Sequence, residues 1–322
     1  MKPFVYTCAL LSLSIGAVTS VAFAETYPDR PIRLIVPTAA GGGGDAFGRL
    51  LADNIGKQLK QSVVVENVAG ASGTIGISKL AHAKPDGYTI GLGTFSSITL
   101  APTVFPKLSY DPNTDFTTLA RVGTSPIILV VRNEFPAKTL KEFEQVALKS
   151  EKPVQYGSWG MGSTGNFCAE VLAQKTGIKL EHVPFNGAGA TANALLGGHI
   201  DVAWLDIGSG TSVVQSGKVR PLAMCTRPTA NFPTVGTYKD QGVDFDEWTG
   251  WGLYAPANLP KPIATSLVHA IERTLEDPAV KKQMLSWGIT PDFVSGEKHA
   301  EMNRKSIEIW RKIAQDAGMK FK

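Results

Sequence analysis

The sequence predicts an α/β protein of two similar lobes. Three observations carry this reading: strand–turn–helix alternation runs from residue 32 onward, restarts after residue 125, and gives way beyond residue 248 to helices. The first block opens with Ile32, Leu34, Ile35 and Val36, a β-branched run that ends in "PTAAGGGG". Phe47, Leu50, Leu51, Ile55 and Leu59 then recur at helical spacing. "SVVVEN" has the character of a short buried strand, and "AGASGTIG" is a glycine turn opening a helix over "ISKLAHA". "DGYTIGLGTFSS" is a further strand ending in small polar residues.

The second block has the same order. "SPIILVVR" predicts a strand, "TLKEFEQVALKS" an amphipathic helix, and "PVQYGSWGMGSTGN" a strand running into a glycine-serine loop. A helix over "FCAEVLAQKTG" closes at Gly177. Strand, turn, helix and strand follow in "LEHVPFNGAGATANALLGGHIDVAWLDIGS", and "VRPLAMCT" is the last strand of the block. Past "TGWGLYAPANLP" three helices are expected, at "PIATSLVHAIERTLED", "PAVKKQMLSWG" and "SGEKHAEMNRKSIEIWRKIAQDAG". With no third set of parallel strands, these helices complete the first lobe. The expected division is therefore residues 25–125 with 248–322 as one lobe and 126–247 as the other. Each lobe would be a mainly parallel sheet flanked by helices, with crossings near Ser125 and Trp248 and a cleft between.

Residues 1–24 read as an export signal: Lys2, an apolar stretch, and Ala22-Phe23-Ala24 before cleavage ahead of Glu25. Ser12, Ser14, Thr19 and Ser20 interrupt the apolar run, which argues against a membrane anchor. The expected destination is the periplasm. The 322-residue chain has a formal charge of +4, too small to imply nucleic acid or a membrane surface as partner. Cys168 and Cys225 remain after cleavage; the sequence leaves open whether they pair or stay as buried thiols. Neither a CxxC nor a His/Cys cluster suggests a metal, and no cofactor is expected.

Every glycine-rich turn follows a strand, and ligands of open α/β sheets sit outside the carboxyl ends of strands. A nucleotide is the first candidate. Gly41, Gly43 and Ala46 fit a relaxed GxGxxG/A spacing, with Glu66 about twenty residues on. Four consecutive glycines make that match weak, the Walker spacing is missing, and export argues against a freely exchanging dinucleotide. Hydrolysis is the second candidate, but Ser158 and Ser163 fit no GxSxG elbow. His82, His182, His199, His269 and His299 stand in unrelated contexts, the last two on polar helix patterns.

Binding asks less of the residues. Amide groups at a helix start are unpaired and lie at the positive end of the helix dipole, so an anion there needs no lysine. Loops 38–45, 94–97 and 157–166 contain neither Lys nor Arg. Thr38, Thr94, Ser96, Ser158, Ser163 and Thr164 add hydroxyl donors, which suits reversible capture of a carboxylate. The simpler role of glycine, permitting tight turns, weakens as an explanation across three such loops. Asp45 either caps the helix after the glycines or meets the ligand, with capping favoured. Asp206 either orients a ligand hydroxyl or amine or structures its own loop. Trp159 and Phe185 are candidate cleft walls, while Trp251, Trp287 and Trp310 read as packing.

These segments resemble a known family. "YPDRPIRLIVPTAAGGGGDAFGRLLADNI", "ENVAGASGTIG", "KPDGYT", "GSWGMGSTGN", "HVPFNGAGATANALLGGHIDVAW" and "WTGWGLYAPANLPKP" are similar to the substrate-binding proteins of tripartite tricarboxylate transporters, the Bug receptors, over essentially the whole mature chain. The resemblance implies a monomeric type II periplasmic binding protein, a non-enzymatic "Venus flytrap" that closes on a small organic acid. Its partners would be a large and a small integral permease subunit; a sensor partner of a membrane kinase or a periplasmic hydrolase are the alternatives. Carried over by motif, the ligand-binding positions are Thr38, Ala39, Gly41, Gly42, Gly43 and Asp45, then Thr94, Phe95 and Ser96 in the first lobe. In the second they are Ser158, Trp159, Met161, Gly162, Ser163, Thr164, Phe185, Asn186, Gly187 and Asp206. The family often has His where this chain has Asn166 or Phe167, and "VPYKG" where it has "VPFNG" with Asn186. Those departures point to a less charged or partly aromatic mono- or dicarboxylate, such as terephthalate.

Overall fold

The computed structural model describes residues 27–105 and 107–316. The export signal expected at residues 1–24 lies outside the described residues. Among those residues no helix is long and apolar enough to cross a membrane.

The first block forms β1 (Ile32–Val36), α1 (Gly43–Leu59), β2 (Val63–Asn67), α2 (Thr74–Ala81), β3 (Thr89–Thr94), α3 (Ala101–Val104) and β4 (Phe116–Thr124). The second forms β5 (Ile127–Arg132), α4 (Leu140–Lys149), β6 (Val154–Ser158), α5 (Thr164–Thr176), β7 (Leu180–Pro184), α6 (Ala188–Leu196), β8 (Val202–Asp206), α7 (Ile207–Gln215) and β9 (Val219–Met224). The chain ends with β10 (Gly250–Pro256), α8 (Lys261–Glu276), α9 (Pro278–Ser286), β11 (Thr290–Ser295) and α10 (Gly296–Asp316).

Two sheets result, in the order β11-β4-β10-β3-β1-β2 and β7-β6-β8-β5-β9. The two-lobed α/β architecture is as the sequence predicts, but the sheets are mixed, not mainly parallel. β1 pairs parallel with β2 and β3, whereas β10 pairs antiparallel with both β3 and β4, and β11 antiparallel with β4. In the other sheet β6 runs parallel to β7 and β8, while β5 is antiparallel to β8 and β9. The strands flanking the crossings pass from one sheet to the other and return in the opposite sense, so they need none of the helical crossovers that parallel neighbours require. β4, β10 and β11 lack a clean alternating pattern, and β11 carries Pro291 on a sheet edge, where proline is tolerated.

Local signals explain the helix boundaries. Thr139 caps α4 by accepting from the Glu142 N–H at 3.1 Å, and the Glu142 carboxylate accepts from the Lys138 N–H at 2.6 Å. Asp277 caps α9, and Gly177 ends α5 in the left-handed conformation. The two crossings lie side by side. The Ser125 N–H donates to the Thr249 carbonyl at 3.0 Å, and the Thr249 hydroxyl donates to the Ser125 carbonyl. Gly250 permits this approach, since a Cβ there would stand 2.2 Å from the Gly123 carbonyl oxygen.

Helix α10 packs on β4, α3 and the π-helical turn at Ser96–Leu100, and reaches α5 of the other sheet's lobe. Trp310 on this helix is fully buried and meets Phe95, Phe167 and Phe245 edge-to-face at 5.8, 5.4 and 5.3 Å. Its packing role agrees with the sequence reading. His299 does not lie on a polar face: it is buried, with Nε2 2.9 Å from the Tyr254 hydroxyl.

Cys168 and Cys225 form a disulfide with their Cα atoms 5.8 Å apart, which settles the alternative the sequence left open. It ties the start of α5 to the end of β9. The Cys225 N–H also donates to the Ile127 carbonyl at 2.7 Å, so the bridge reaches the first residue of β5. Closing a loop with a sequence separation of 57 restricts the unfolded chain, which the chain-entropy account values at about 4 kcal/mol. Replacing both cysteines with alanine should lower unfolding free energy in urea by about that amount; a loss below about 1 kcal/mol would contradict this assignment.

Candidate functional site

The site is built where α1, α5 and α7 begin and where the β3 loop meets them. The N-cap of α1 is Gly42, which offers no side chain to the first turn. The N–H groups of Gly43 and Gly44 consequently find no hydrogen-bond partner among the described residues. Gly44 must be glycine, because a Cβ would lie 2.6 Å from the Thr38 hydroxyl oxygen. That hydroxyl is buried and also lacks a partner among the described residues. Two amides and one hydroxyl therefore stand ready for an acceptor at the positive end of α1.

Asp45 is the third residue of α1 and not its N-cap. Its carboxylate accepts from the Gly41 N–H at 2.9 Å and pairs with Arg49 Nε at 3.0 Å, holding the glycine loop back against the helix. Burial pushes its pKa up, but the Gly41 N–H together with Arg49 and Asn67 brings it below the ordinary carboxylate value. Asn67 Nδ2 also donates to the Thr38 carbonyl at 3.2 Å and fixes the same loop from β2. The Asp45 carboxylate is thus committed to loop structure.

Beyond β3, the hydroxyls of Thr94 and Ser97 lie 3.0 Å apart and each oxygen accepts a backbone N–H of the other residue. Phe95 turns into the core against Trp248 at 5.0 Å and Trp310. Ser96 instead crosses to the second lobe. Its oxygen lies 2.9 Å from the Thr164 hydroxyl and accepts from the Thr164 N–H at 3.1 Å. A second crossing bond runs from the Ser72 hydroxyl to the Met161 carbonyl at 2.7 Å. Ala71 and Ser72 adopt φ of 45° and 54°, a left-handed conformation that costs energy in non-glycine residues. These contacts place the two sets of loops face to face.

On the second lobe, Ser163 caps α5 by accepting from the Asn166 N–H at 3.3 Å. Asn166 Oδ1 in turn accepts from the Gly162 N–H at 3.0 Å. Trp159 is half-buried over Gly165, where a Cβ would meet its ring at 2.6 Å. Phe185 lies against Gly157, and Asn186 is exposed before Gly187, the N-cap of α6. Asp206 caps α7 through the Ser209 N–H at 3.1 Å. The same carboxylate oxygen lies 3.6 Å from where a Cβ on Gly43 would stand, so it faces the α1 cradle across the cleft. Both functions that the sequence left open for Asp206 are compatible with this geometry.

Ser158 Oγ lies 2.7 Å from His182 Nε2 and 3.1 Å from Ser163 Oγ. That spacing suits a nucleophile and its base, but Ser158 is completely buried and also donates to the Gly160 carbonyl at 3.2 Å. No carboxylate orients His182 among the described residues, so the third member of a hydrolytic triad is missing there. Nor do three or more His, Cys, Asp or Glu residues converge as metal ligands among those residues. The sequence reading did not single out Asn67, Ser72, Ser97 or the Ser158–His182 pairing. Asn67 and Ser72 lie inside "ENVAGASG", but their partners are 29 and 89 residues away.

Two α/β lobes that bring glycine-rich helix starts together across one cleft define a two-lobed solute-binding protein. The chain belongs to the tripartite tricarboxylate transporter receptor family, whose TctC model matches residues 47–319. The solved structure of the periplasmic binding protein BugD is 30% identical and superposes with a TM-score of 0.85, covering 91% of this chain and 99% of its own. Rpa4515 of R. palustris, solved with adipate, is 27% identical with a TM-score of 0.85 and the same coverage. MatC of Rhodopseudomonas palustris, solved with bound malate, is 29% identical with a TM-score of 0.82, covering 89% of this chain and 99% of its own.

His182 gives the site a pH signature. Burial pushes its pKa from 6.5 down to about 4. The folded protein keeps the ring neutral where the unfolded chain would bind a proton, so this contribution to stability is complete above about 6.5 and is lost as pH falls to about 4. Melting temperature should fall more steeply across that interval in the wild type than in His182→Gln; parallel profiles would contradict the assignment.

Proposed function

We propose that the protein is an exported, non-enzymatic receptor that captures a small mono- or dicarboxylate by lobe closure. It then delivers the acid to a membrane transporter built from one large and one small integral subunit. Residues 125 and 248 mark the division between its lobes, and it works as a monomer in the periplasm. The observation that carries this reading is the α1 cradle. The unpaired Gly43 and Gly44 amides and the orphaned Thr38 hydroxyl face a cleft whose loops hold no Lys or Arg. The adipate- and malate-bound relatives support an acid as the ligand.

Magnitudes explain why closure is needed. A hydrogen bond to a charged group contributes roughly 1.5–3 kcal/mol, and a favourable helix terminus up to about 2. The two amides, the hydroxyl and the helix terminus together give about 4.5–11 kcal/mol before costs, and the lost freedom of the bound acid takes back roughly 4–15, so one jaw alone falls short of the about 8 kcal/mol that micromolar affinity requires. The opposing jaw supplies the remainder through the half-buried Trp159 and Phe185 and the exposed Asn186, with the Asp206 carboxylate placed to accept from a ligand hydroxyl or amine. Water exclusion strengthens every bond to the carboxylate. The ligand favours closure only through contacts that the open state lacks.

Gly42 is extended, with φ of −90°, and a Cβ there would approach nothing closer than 3.5 Å. Gly42→Val therefore adds bulk next to the cradle amides without breaking the loop. Calorimetry with a panel of aliphatic and aromatic acids should find at least one ligand for the wild type and at least about tenfold weaker binding by the variant, with little change in melting temperature. Stabilisation by sugars or cations and by no acid would refute the proposal.

A further inference from the structure

Beside the cleft, Gly288 and Ile207 meet in close contact across the lobes, at the edge of a pocket of about 230 Å³ that Gly288, Asn231 and Leu285 help to line. Gly288 ends α9 in the left-handed conformation, with φ of 72°. A Cβ on it would lie 2.6 Å from Ile207 Cγ1, 2.8 Å from Cγ2 and 3.3 Å from Cβ. Ile207 is buried in the other sheet's lobe, as the first residue of α7. The colliding atoms are the branch point of a stiff side chain, not a mobile tip, so they yield only if the helix itself moves. Asn231 Nδ2 spans the same junction, lying 3.4 Å from both the Thr211 hydroxyl and the Ser286 carbonyl.

The residue before Ile207 is Asp206, whose carboxylate faces Gly43. Any displacement of the start of α7 therefore changes the distance between the two jaws. We propose that Gly288 against Ile207 is the mechanical stop of lobe closure, and that it sets the length of acid the closed cleft accepts. The second clause rests on the carboxylate reading above; the first does not. Glycine is also favoured at a helix C-terminus simply for its left-handed backbone, so the test must separate that role from the stop.

Asparagine tolerates the left-handed conformation, so Gly288→Asn keeps the helix end while adding a wedge. Ile207→Ala removes Cγ1 and Cγ2, the two atoms that the wedge strikes hardest. Solution scattering would be recorded for the wild type, both single variants and the double variant, without ligand and with linear dicarboxylates from succinate to suberate. The most compact state of Gly288→Asn should have a larger radius of gyration than that of the wild type, and the double variant should return to the wild-type value. Calorimetry should find the affinity optimum of Gly288→Asn moved to a longer acid, with at least tenfold weaker binding of the acid the wild type prefers. An unchanged minimum radius, or failure of Ile207→Ala to restore it, overturns the stop. A larger radius with an unchanged length optimum overturns its link to specificity. If the wild type binds no acid in the series, the specificity clause fails while the scattering result still decides the stop.

Discussion

The structure depends on a set of backbone donors at the start of α1 that have no hydrogen-bond partner among the described residues. Gly42 provides no cap, and the Gly43 and Gly44 amides point away from the helix they begin. The surrounding residues preserve that condition. Asp45 turns its carboxylate back to Gly41 and Arg49, Asn67 holds the Thr38 carbonyl, and Gly44 gives the Thr38 hydroxyl room. A lysine would bind an anion more strongly but less selectively; a cradle of fixed amides specifies position as well as charge.

A cradle open to water holds a carboxylate weakly, so the second lobe is part of the same physical argument. The adjacent crossings at Ser125 and Thr249 bring the lobes together along one line. Aromatic rings around Trp310 fill the space near that line, joining Phe95 behind one jaw to Phe167 behind the other. Across the cleft, Ser96 meets Thr164 and Ser72 meets Met161 directly. The disulfide anchors α5 to β9, so Ser163 and Thr164 at its head are presented from a fixed element.

Much of the first-lobe cradle was legible in sequence because local rules govern it: a β-branched strand, a glycine turn and a helical period are contiguous over residues 32–59. The second lobe was legible for the same reason, except at the head of α5, where the sequence reads Ser163 and Thr164 as loop hydroxyls and the structure makes Ser163 the cap and Thr164 the first helical residue. The sheets were misread where pairing is non-local. β4, β10 and β11 pair antiparallel across more than a hundred residues of chain, and nothing in "FTTLARVGT" or "TPDFVS" encodes the partner. His299 looked like a surface residue because its helix is polar in sequence, yet the helix wedges against both lobes and buries that face. The disulfide, Ser72–Met161 and Ser158–His182 are likewise contacts made by the folded chain, with no local signature.

The central claim is that fixed amides at the head of α1 hold a carboxylate. The most direct measurement is native mass spectrometry of the protein isolated from the periplasm, followed by identification of any small molecule released on denaturation. The account predicts one equivalent of a small carboxylic acid per chain. Release of a sugar, a nucleotide or a metal in that stoichiometry, with no acid present, would contradict it.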